Sequence, residues 1–214
     1  MKEIEIKRAL SSSAYLQLRK YFEESNYSTS GRIQKNYYFD SDNFQLLRED
    51  VTCRLRVVNC NQFEFTIKVK LPASREGLKM KYETNRSINK QLFKHIISKE
   101  LLPESLYQEL QDAVQESFNL PQIDQIKLQG FLETERTKVP LCETPFTIEL
   151  DKSLYFDKID YELEMEIESE DRISEGEDYL INLFDELNIA QEVSPSTSKT
   201  ARFAEEHARI SSEG

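Results

Sequence analysis

Histidine and cysteine are scarce in this sequence. Its two histidines, His95 and His207, lie far apart, so a histidine-based zinc site or a Ser/His/Asp triad is poorly supported. The three cysteines, Cys53, Cys60 and Cys142, do not have the spacing of metal ligands. An odd number of cysteines without a secretory signal fits a reducing compartment, so we expect inert thiols in a cytoplasmic protein.

The sequence also has few glycines and no long apolar run. No stretch approaches the roughly 18 apolar residues of a membrane span, which predicts that no membrane is involved. With five glycines in 214 residues, a doubly wound nucleotide fold with glycine-rich turns is disfavoured. The formal net charge of −11 argues against a nucleic-acid partner, because nucleic-acid-binding surfaces are normally basic. It does not exclude a local basic pocket.

Strand patterns occupy both halves of the chain, with helical patterns between them. The spacing of apolar residues predicts helices at about 90–118 and a C-terminal helix at about 199–210. Another helix is predicted at 174–187, where Ser174-Glu175-Gly176-Glu177 has the form of a capping box. No long linker or low-complexity segment divides the chain, so we expect a single domain over residues 1–214.

Residues 3–7 alternate strictly between charged and apolar side chains. In a strand, Glu3, Glu5 and Lys7 would point to one face, and Ile4 and Ile6 to the other. The two carboxylates would then lie about 7 Å apart. This distance suits a hard divalent cation such as Mg²⁺, which prefers oxygen ligands. The alternative is an edge strand with a solvated polar face.

The same alternation recurs in later segments, with charges of either sign. It places polar side chains in rows that share a strand face: Arg54 and Arg56; Thr66, Lys68 and Lys70; Arg136 and Lys138; Glu162, Glu164, Glu166 and Glu168. A sheet with such rows either lies open with one face in water or closes into a barrel, for which about eight strands suffice. Inside a barrel the charges would be costly unless they were paired or bound to a ligand. A polyphosphate with Mg²⁺ or Mn²⁺ would match the basic and the acidic rows.

The charged rows belong to an ordered series of short motifs. The series runs through Glu3-x-Glu5-x-Lys7, Tyr37-Tyr38-Phe39-Asp40-Ser41, Arg54-Leu55-Arg56, Thr66-Ile67-Lys68, Arg136, the row of Glu162, Glu164 and Glu166, and Ser198-Lys199-x-x-Arg202. This series resembles the CYTH superfamily, also called triphosphate tunnel metalloenzymes, and it looks closest to bacterial members of the YjbK type. A single E-x-E-x-K motif is weak, whereas the ordered set from Glu3 to Arg202 is specific.

The resemblance implies an α+β fold in which an eight-stranded antiparallel β-barrel forms a tunnel with flanking helices. It implies metal-dependent hydrolysis of a triphosphate group, with Mg²⁺ or Mn²⁺ as the cofactor and inorganic tripolyphosphate as the first substrate to test. The alternatives are a class IV-type adenylate cyclase, a thiamine triphosphatase, or a non-catalytic module that binds polyphosphate or a triphosphate-containing small molecule. We expect a monomer or a homodimer.

The resemblance also implies roles for individual residues. Phosphates would be bound by Arg54, Arg56, Lys68, Lys70, Arg136, Lys199 and Arg202. A metal ion would be held by Glu3, Glu5, Glu162, Glu164, Glu166, Glu83 and Asp151, and the spacing leaves open which two glutamates of the 162–166 row are ligands. Lys7 and Glu5 would act in catalysis, with Lys7 near the phosphates or orienting the attacking water. At residues 79–83 the sequence keeps only Glu83 of the R-x-E-x-E pattern of the family.

Overall fold

The computed structural model describes residues 2–25, 27–70, 79–117, 125–141, 144–190 and 197–213. The side chains of Glu3 and Lys70, and the whole of Cys142, lie outside this description. The elements of the first half are β1 (Lys2–Leu10), α1 (Ser12–Glu24), β2 (Ser30–Asp40), α2 (Gln45–Arg48), β3 (Val51–Val58), β4 (Gln62–Lys70) and β5 (Lys79–Ser87).

The second half contains most of the described helical residues and three further strands. Its elements are α3 (Lys90–Lys99), α4 (Glu104–Ser117), β6 (Lys127–Pro140), β7 (Thr147–Tyr155), β8 (Lys158–Ile167), a 3₁₀ turn (Glu170–Arg172), α5 (Ile173–Glu186) and α6 (Lys199–Glu213). The helices predicted between the two strand-rich halves and near the C-terminus are therefore present, although α6 extends beyond its predicted end.

The eight strands pair antiparallel in the order β1-β5-β4-β3-β2-β6-β7-β8. Because β8 also pairs with β1, the sheet curls around into a barrel. Among the described residues, the ladder between β1 and β5 has four residue pairs, against seven between β1 and β8. The antiparallel eight-stranded fold with flanking helices that was expected from the sequence is confirmed.

The apolar face of the barrel points outward and is covered by helices. On one side, Ile6 of β1 belongs to a buried cluster that includes Leu18 of α1 and Leu180 of α5. On the other side, Ile67 of β4 packs in a second cluster with residues of α3 and α4, such as Ile96. Burial of large aliphatic and aromatic side chains contributes roughly 1.5–3 kcal/mol each, so these clusters fix which face of each strand turns inward.

Phe203 packs helix α6 against the barrel. Phe203 is fully buried in a cluster with Tyr38, Leu132 and Tyr155. Its ring lies over Gly130 of β6, which has a φ of +138° at a point where the register between β2 and β6 shifts. A Cβ at that position would stand 2.9 Å from Phe203 Cζ, so a glycine is needed for this close approach.

The predicted capping box of α5 is wrong. The helix begins at Ile173, and its N-cap position is Arg172, whose side chain makes no capping hydrogen bond. The 3₁₀ turn runs directly into the helix, so Ser174 falls inside the first turn instead of preceding it. The helix approaches the sheet closely at Gly176, where a Cβ would lie 2.9 Å from Ile167 Cδ1.

Candidate functional site

A cavity of about 660 Å³ lies inside the barrel. Its walls are inward-pointing side chains of the strands together with the first turn of α6. In β1, Glu5 and Lys7 line the cavity, whereas Ile6 packs under the helices. Most of the described members of the charged rows therefore line one cavity within the barrel, as the closed arrangement requires.

Arg54, Arg56 and Lys68 form what we call the basic wall, on β3 and β4. Arg54 is 8% exposed, and its Nε and Nη2 atoms have no hydrogen-bond partner among the described residues. Arg56 donates from Nε to Asn36 Oδ1 at 2.9 Å. Burial lowers the pKa of Arg56, and the adjacent positive charges of Arg54 and Arg136 add to this effect, so that the pKa is about 9.

The carboxylate of Glu83, on β5, contacts the basic wall. It forms an ion pair with Lys68, and its Oε1 atom lies 3.9 Å from Arg54 Nη2. Burial raises the pKa of Glu83, but the positive charges of Lys68 and Arg54 outweigh burial and lower the pKa to about 2. The structure thus places Glu83 against cationic side chains, and it is not a member of the group of carboxylates formed by Asp151, Glu162 and Glu164.

Asp151, Glu162 and Glu164 form the acidic cluster, which β7 and β8 contribute. One carboxylate oxygen from each residue lies within 4.8 Å of the others, and all three residues are buried. Such a set of oxygen donors fits Mg²⁺ or Mn²⁺. Of the glutamates in the 162–166 row, Glu166 stands apart, because it is more exposed and pairs with Lys138 at 3.1 Å.

The ammonium group of Lys199 lies inside the acidic cluster. Its Nζ atom is 2.8 Å from Asp151 Oδ2 and 2.5 Å from oxygens of both Glu162 and Glu164. Burial lowers the pKa of Lys199, but the three carboxylates outweigh burial and raise the pKa well above its ordinary value. For Glu162, burial raises the pKa, but the positive charges of Lys199 and Lys7 outweigh burial and lower the pKa to about 2. This carboxylate is therefore ionised at neutral pH.

Two other cationic side chains border the acidic cluster. Lys7 Nζ lies 3.2 Å from Glu5 Oε2 and 2.5 Å from Glu164 Oε1. Arg136 donates to Asp151 Oδ1 at 2.6 Å and to Glu164 Oε2 at 2.7 Å. Both cations are therefore engaged by carboxylates in this structure, although the sequence grouped Arg136 with the phosphate-binding residues.

Arg202 lies beside the cavity and anchors the start of α6. It donates from Nε to Asp160 Oδ2 at 2.8 Å, and its Nη2 atom is 3.4 Å from Glu162 Oε2. Asp160 also accepts a hydrogen bond from Tyr155 at 2.5 Å. The described lining of the cavity includes Lys199 of the same helix but not Arg202. Arg202 is thus placed to hold Lys199 in position.

Several lining residues were not assigned to the site from the sequence. Arg32, Gln34 and Asn36 of β2 line the cavity, and Arg32 Nη2 donates to the buried Glu149 at 3.0 Å. The signal that could have found them is the alternation of polar residues at every second position of β2. Glu149 could have been found in the same way, because it shares a strand face with Asp151.

The CYTH domain family matches residues 1–204 of this chain. The match covers nearly the whole sequence, and the chain belongs to the CYTH domain family. Among curated proteins, no sequence matches it. Within the described residues, no helix combines the length and the apolar character that a membrane crossing requires.

Solved structures share the fold over almost their full length. A Bacillus halodurans protein provisionally named an adenylate cyclase is 29% identical, with 94% of this chain and 98% of that chain covered and a TM-score of 0.69. A candidate adenylyl cyclase from Hippeastrum, described as having a dominant triphosphatase activity, is 24% identical, with 95% of each chain covered and a TM-score of 0.76. The PH1012 protein of Pyrococcus horikoshii is 18% identical, with coverages of 91% and 96% and a TM-score of 0.54.

Proposed function

We propose that this protein is a metal-dependent hydrolase of the triphosphate group and that inorganic tripolyphosphate is a substrate. The observation that carries the proposal is Arg54, a buried guanidinium in the cavity whose Nε and Nη2 atoms have no hydrogen-bond partner among the described residues. Leaving a buried charged donor unsatisfied costs at least about 1–3 kcal/mol. Phosphate oxygens accept such donors in bidentate geometry, so a bound triphosphate would offset this cost.

The surroundings of Arg54 support an anionic ligand. The lowered pKa of Arg56, about 9, results from burial and then from the neighbouring positive charges of Arg54 and Arg136. A polyanion in the cavity would cancel this repulsion and restore the affinity of the guanidinium for its proton. Lys68 stands on the same wall and would add a point charge to the phosphate contacts.

The acidic cluster supports the metal part of the proposal. Asp151, Glu162 and Glu164 are the residues that would hold Mg²⁺ or Mn²⁺. Glu5 is linked to this cluster by Lys7, whose ammonium group contacts both Glu5 and Glu164. When bound, such an ion supplies neutralisation of the charge on a transferring phosphoryl group and orientation of the phosphate oxygens.

The chain itself would contribute positioning and electrostatic stabilisation. Arg54, Arg56 and Lys68 would hold the phosphate oxygens, while Lys7, fixed by Glu5 and Glu164, would present a positive charge from β1 on the side of the acidic cluster. Phosphoryl transfer needs little covalent chemistry from the protein, so the fixed charges of the basic wall and of the acidic cluster can provide most of the acceleration.

The lining of the cavity favours an inorganic substrate. Its described side chains are mostly charged or polar, and Tyr38 is the aromatic residue among them. The ring of Tyr38 packs 5.1 Å from that of Phe203, which leaves it poorly placed to stack on a base. A chain of phosphates needs no such surface.

A second candidate function is adenylate cyclisation. It is favoured by the 29% identity to the Bacillus halodurans protein, whose provisional name is adenylate cyclase. The two activities use the same triphosphate group and are separated by their products. Incubation with ATP and Mn²⁺, followed by assays for cyclic AMP and for released phosphate, distinguishes them.

The decisive experiment measures phosphate release from tripolyphosphate with Mg²⁺ or Mn²⁺ in the wild type and in Arg54→Met. Charge-assisted hydrogen bonds contribute about 1.5–3 kcal/mol each, so the loss of the two from Nε and Nη2 predicts at least a hundredfold fall in kcat/KM. Arg86→Met is the matched control, because Arg86 is half-exposed and pairs with Glu109 on the surface at 2.9 Å.

The outcomes separate the hypotheses. Turnover that falls in Arg54→Met and stays within about twofold of wild type in Arg86→Met supports the proposal. Wild-type turnover in Arg54→Met contradicts it. Binding of tripolyphosphate by calorimetry without turnover under either metal would instead identify a non-catalytic binding module.

A further inference from the structure

Lys199 occupies the space in which a divalent cation would bind. Its Nζ atom lies 2.5–2.8 Å from one oxygen each of Asp151, Glu162 and Glu164, the same residues whose oxygens approach one another within 4.8 Å. Mg²⁺ requires its ligand oxygens at about 2.1 Å. Two cations would therefore share one small buried space, where repulsion between like charges is strong.

The position of Lys199 is fixed by the helix that carries it. Phe203, one turn further along α6, is fully buried in the cluster with Tyr38 and Tyr155. Arg202 is tied to Asp160 at 2.8 Å. The backbone of the first turn is thus anchored, so displacement of the ammonium requires rotation of the flexible lysine side chain and leaves the helix in place.

We propose that Lys199 is a tethered competitor of the divalent cation: its ammonium neutralises the acidic cluster until the metal binds and displaces it into the cavity. The proposal rests on metal binding at the acidic cluster, as put forward under the proposed function, but not on hydrolysis. The displaced ammonium becomes available to phosphate oxygens, because Lys199 also lines the cavity. Metal binding and triphosphate binding would therefore favour each other.

The test is calorimetric titration of the substrate-free protein with Mn²⁺. Lys199→Met keeps much of the length of the side chain and removes its charge, so we expect Mn²⁺ to bind at least tenfold more tightly than to the wild type. Lys138→Met is the matched control. It changes the net charge equally, but Lys138 pairs with Glu149 and Glu166 outside the acidic cluster, and we expect less than a twofold change.

Equal affinity for Mn²⁺ in Lys199→Met and wild type would overturn the proposal, as would an equal gain in Lys138→Met. The added substitution Glu164→Gln should reverse the gain of Lys199→Met, and a gain that persists would place the metal elsewhere. If wild type hydrolyses tripolyphosphate while Lys199→Met gains no affinity, the proposed function stands and this inference fails. If Lys199→Met gains affinity but neither the wild type nor any variant turns over a triphosphate, this inference stands and the proposed function fails.

A second measurement uses the wild type and does not depend on the folding of a variant. Lys199 is 13% exposed at its side chain and surrounded by carboxylates, so acetylation of its amine by a water-soluble ester should be slow. Saturating Mn²⁺ should accelerate this acetylation at least threefold, as measured by peptide mass spectrometry, while the acetylation rate of Lys138 stays constant. Slower or unchanged acetylation of Lys199 would contradict the displacement.

Discussion

Phe203 of α6 packs closely against Gly130 of β6, and substitution of Gly130 by alanine tests how much this contact contributes to stability. Gly130 has a φ of +138°, which side-chain-bearing residues rarely adopt, and its position faces the ring of Phe203. Backbone strain of this kind costs about 1–3 kcal/mol. The new Cβ would lie 2.9 Å from Phe203 Cζ, well inside the ordinary carbon–carbon contact of about 3.5–4.0 Å.

Overpacking of this kind costs a further 1–3 kcal/mol, roughly. We therefore expect Gly130→Ala to lower the free energy of unfolding by about 2–6 kcal/mol. Urea denaturation followed by circular dichroism measures this loss. Gly31→Ala is the control, because nothing lies within 4 Å of its Cβ position and its φ is not in the left-handed region. We expect its free energy of unfolding to change by no more than about 1 kcal/mol.

A double-mutant cycle separates strain from overlap. In a Phe203→Leu background the overlapping Cζ atom is absent, so Gly130→Ala should then cost only the backbone strain of about 1–3 kcal/mol. A loss for Gly130→Ala that equals the change in Gly31→Ala would refute the reasoning. A loss that is identical in both Phe203 backgrounds would show that the ring does not press on this position.

Two further predictions concern the carboxylates of Glu83 and Asp40. The pKa of Glu83 is about 2 in the folded protein against an ordinary value of 4.5, because Lys68 and Arg54 outweigh the effect of burial. Glu83 therefore contributes stability above pH 4.5 that is lost as the pH falls towards 2, and the difference in unfolding free energy between wild type and Glu83→Gln should shrink over that interval in urea titrations. Asp40 accepts hydrogen bonds from the backbone N–H groups of Leu46 at 2.9 Å and Leu47 at 3.1 Å, so Asp40→Ala should lower the free energy of unfolding by about 1–3 kcal/mol and Asp40→Asn by less, as measured by thermal unfolding.

The faces of the strands could be predicted from the sequence because strand geometry is local. Glu5 and Lys7 alternate with Ile4 and Ile6, and this alternation alone predicts which side chains meet the helices. Closure of the sheet depends on contacts between distant strands and could not be predicted from the alternation. The expectation of a closed barrel came from the resemblance to the CYTH superfamily. The family match over residues 1–204 and the pairing of β8 with β1 confirm that expectation.

The partners of the charged side chains could not be predicted in the same way. Arg136 and Lys199 were expected to face phosphates, whereas the structure places both among carboxylates. Alternation specifies a face but not the neighbour across the barrel, which depends on strand register and on where α6 packs. For β2 the strand face could be predicted but its role could not. The alternation that includes Arg32 and Asn36 predicts a shared polar face, and the structure places that face in the lining of the cavity.

The structural role of Asp40 was also not evident from the sequence. Asp40 belongs to the Tyr37–Ser41 segment that carries part of the resemblance, and in the structure its carboxylate holds the first turn of the four-residue α2. A helix of four residues is too short to show a periodic spacing of apolar residues, so the sequence pattern does not predict it. Capping by a residue that ends the preceding strand becomes evident only when the backbone conformation is known.

The place of β1 in the sheet has a consequence for biosynthesis. Strand β1 precedes the other described strands, and it pairs with β5 and with β8, so it cannot complete both ladders until residue 167 has been synthesised. Chains that stop earlier expose two open sheet edges, which are templates for aggregation. The barrel is therefore completed in one late event of high contact order, and a fragment ending before β8 should not be a usable scaffold for the site.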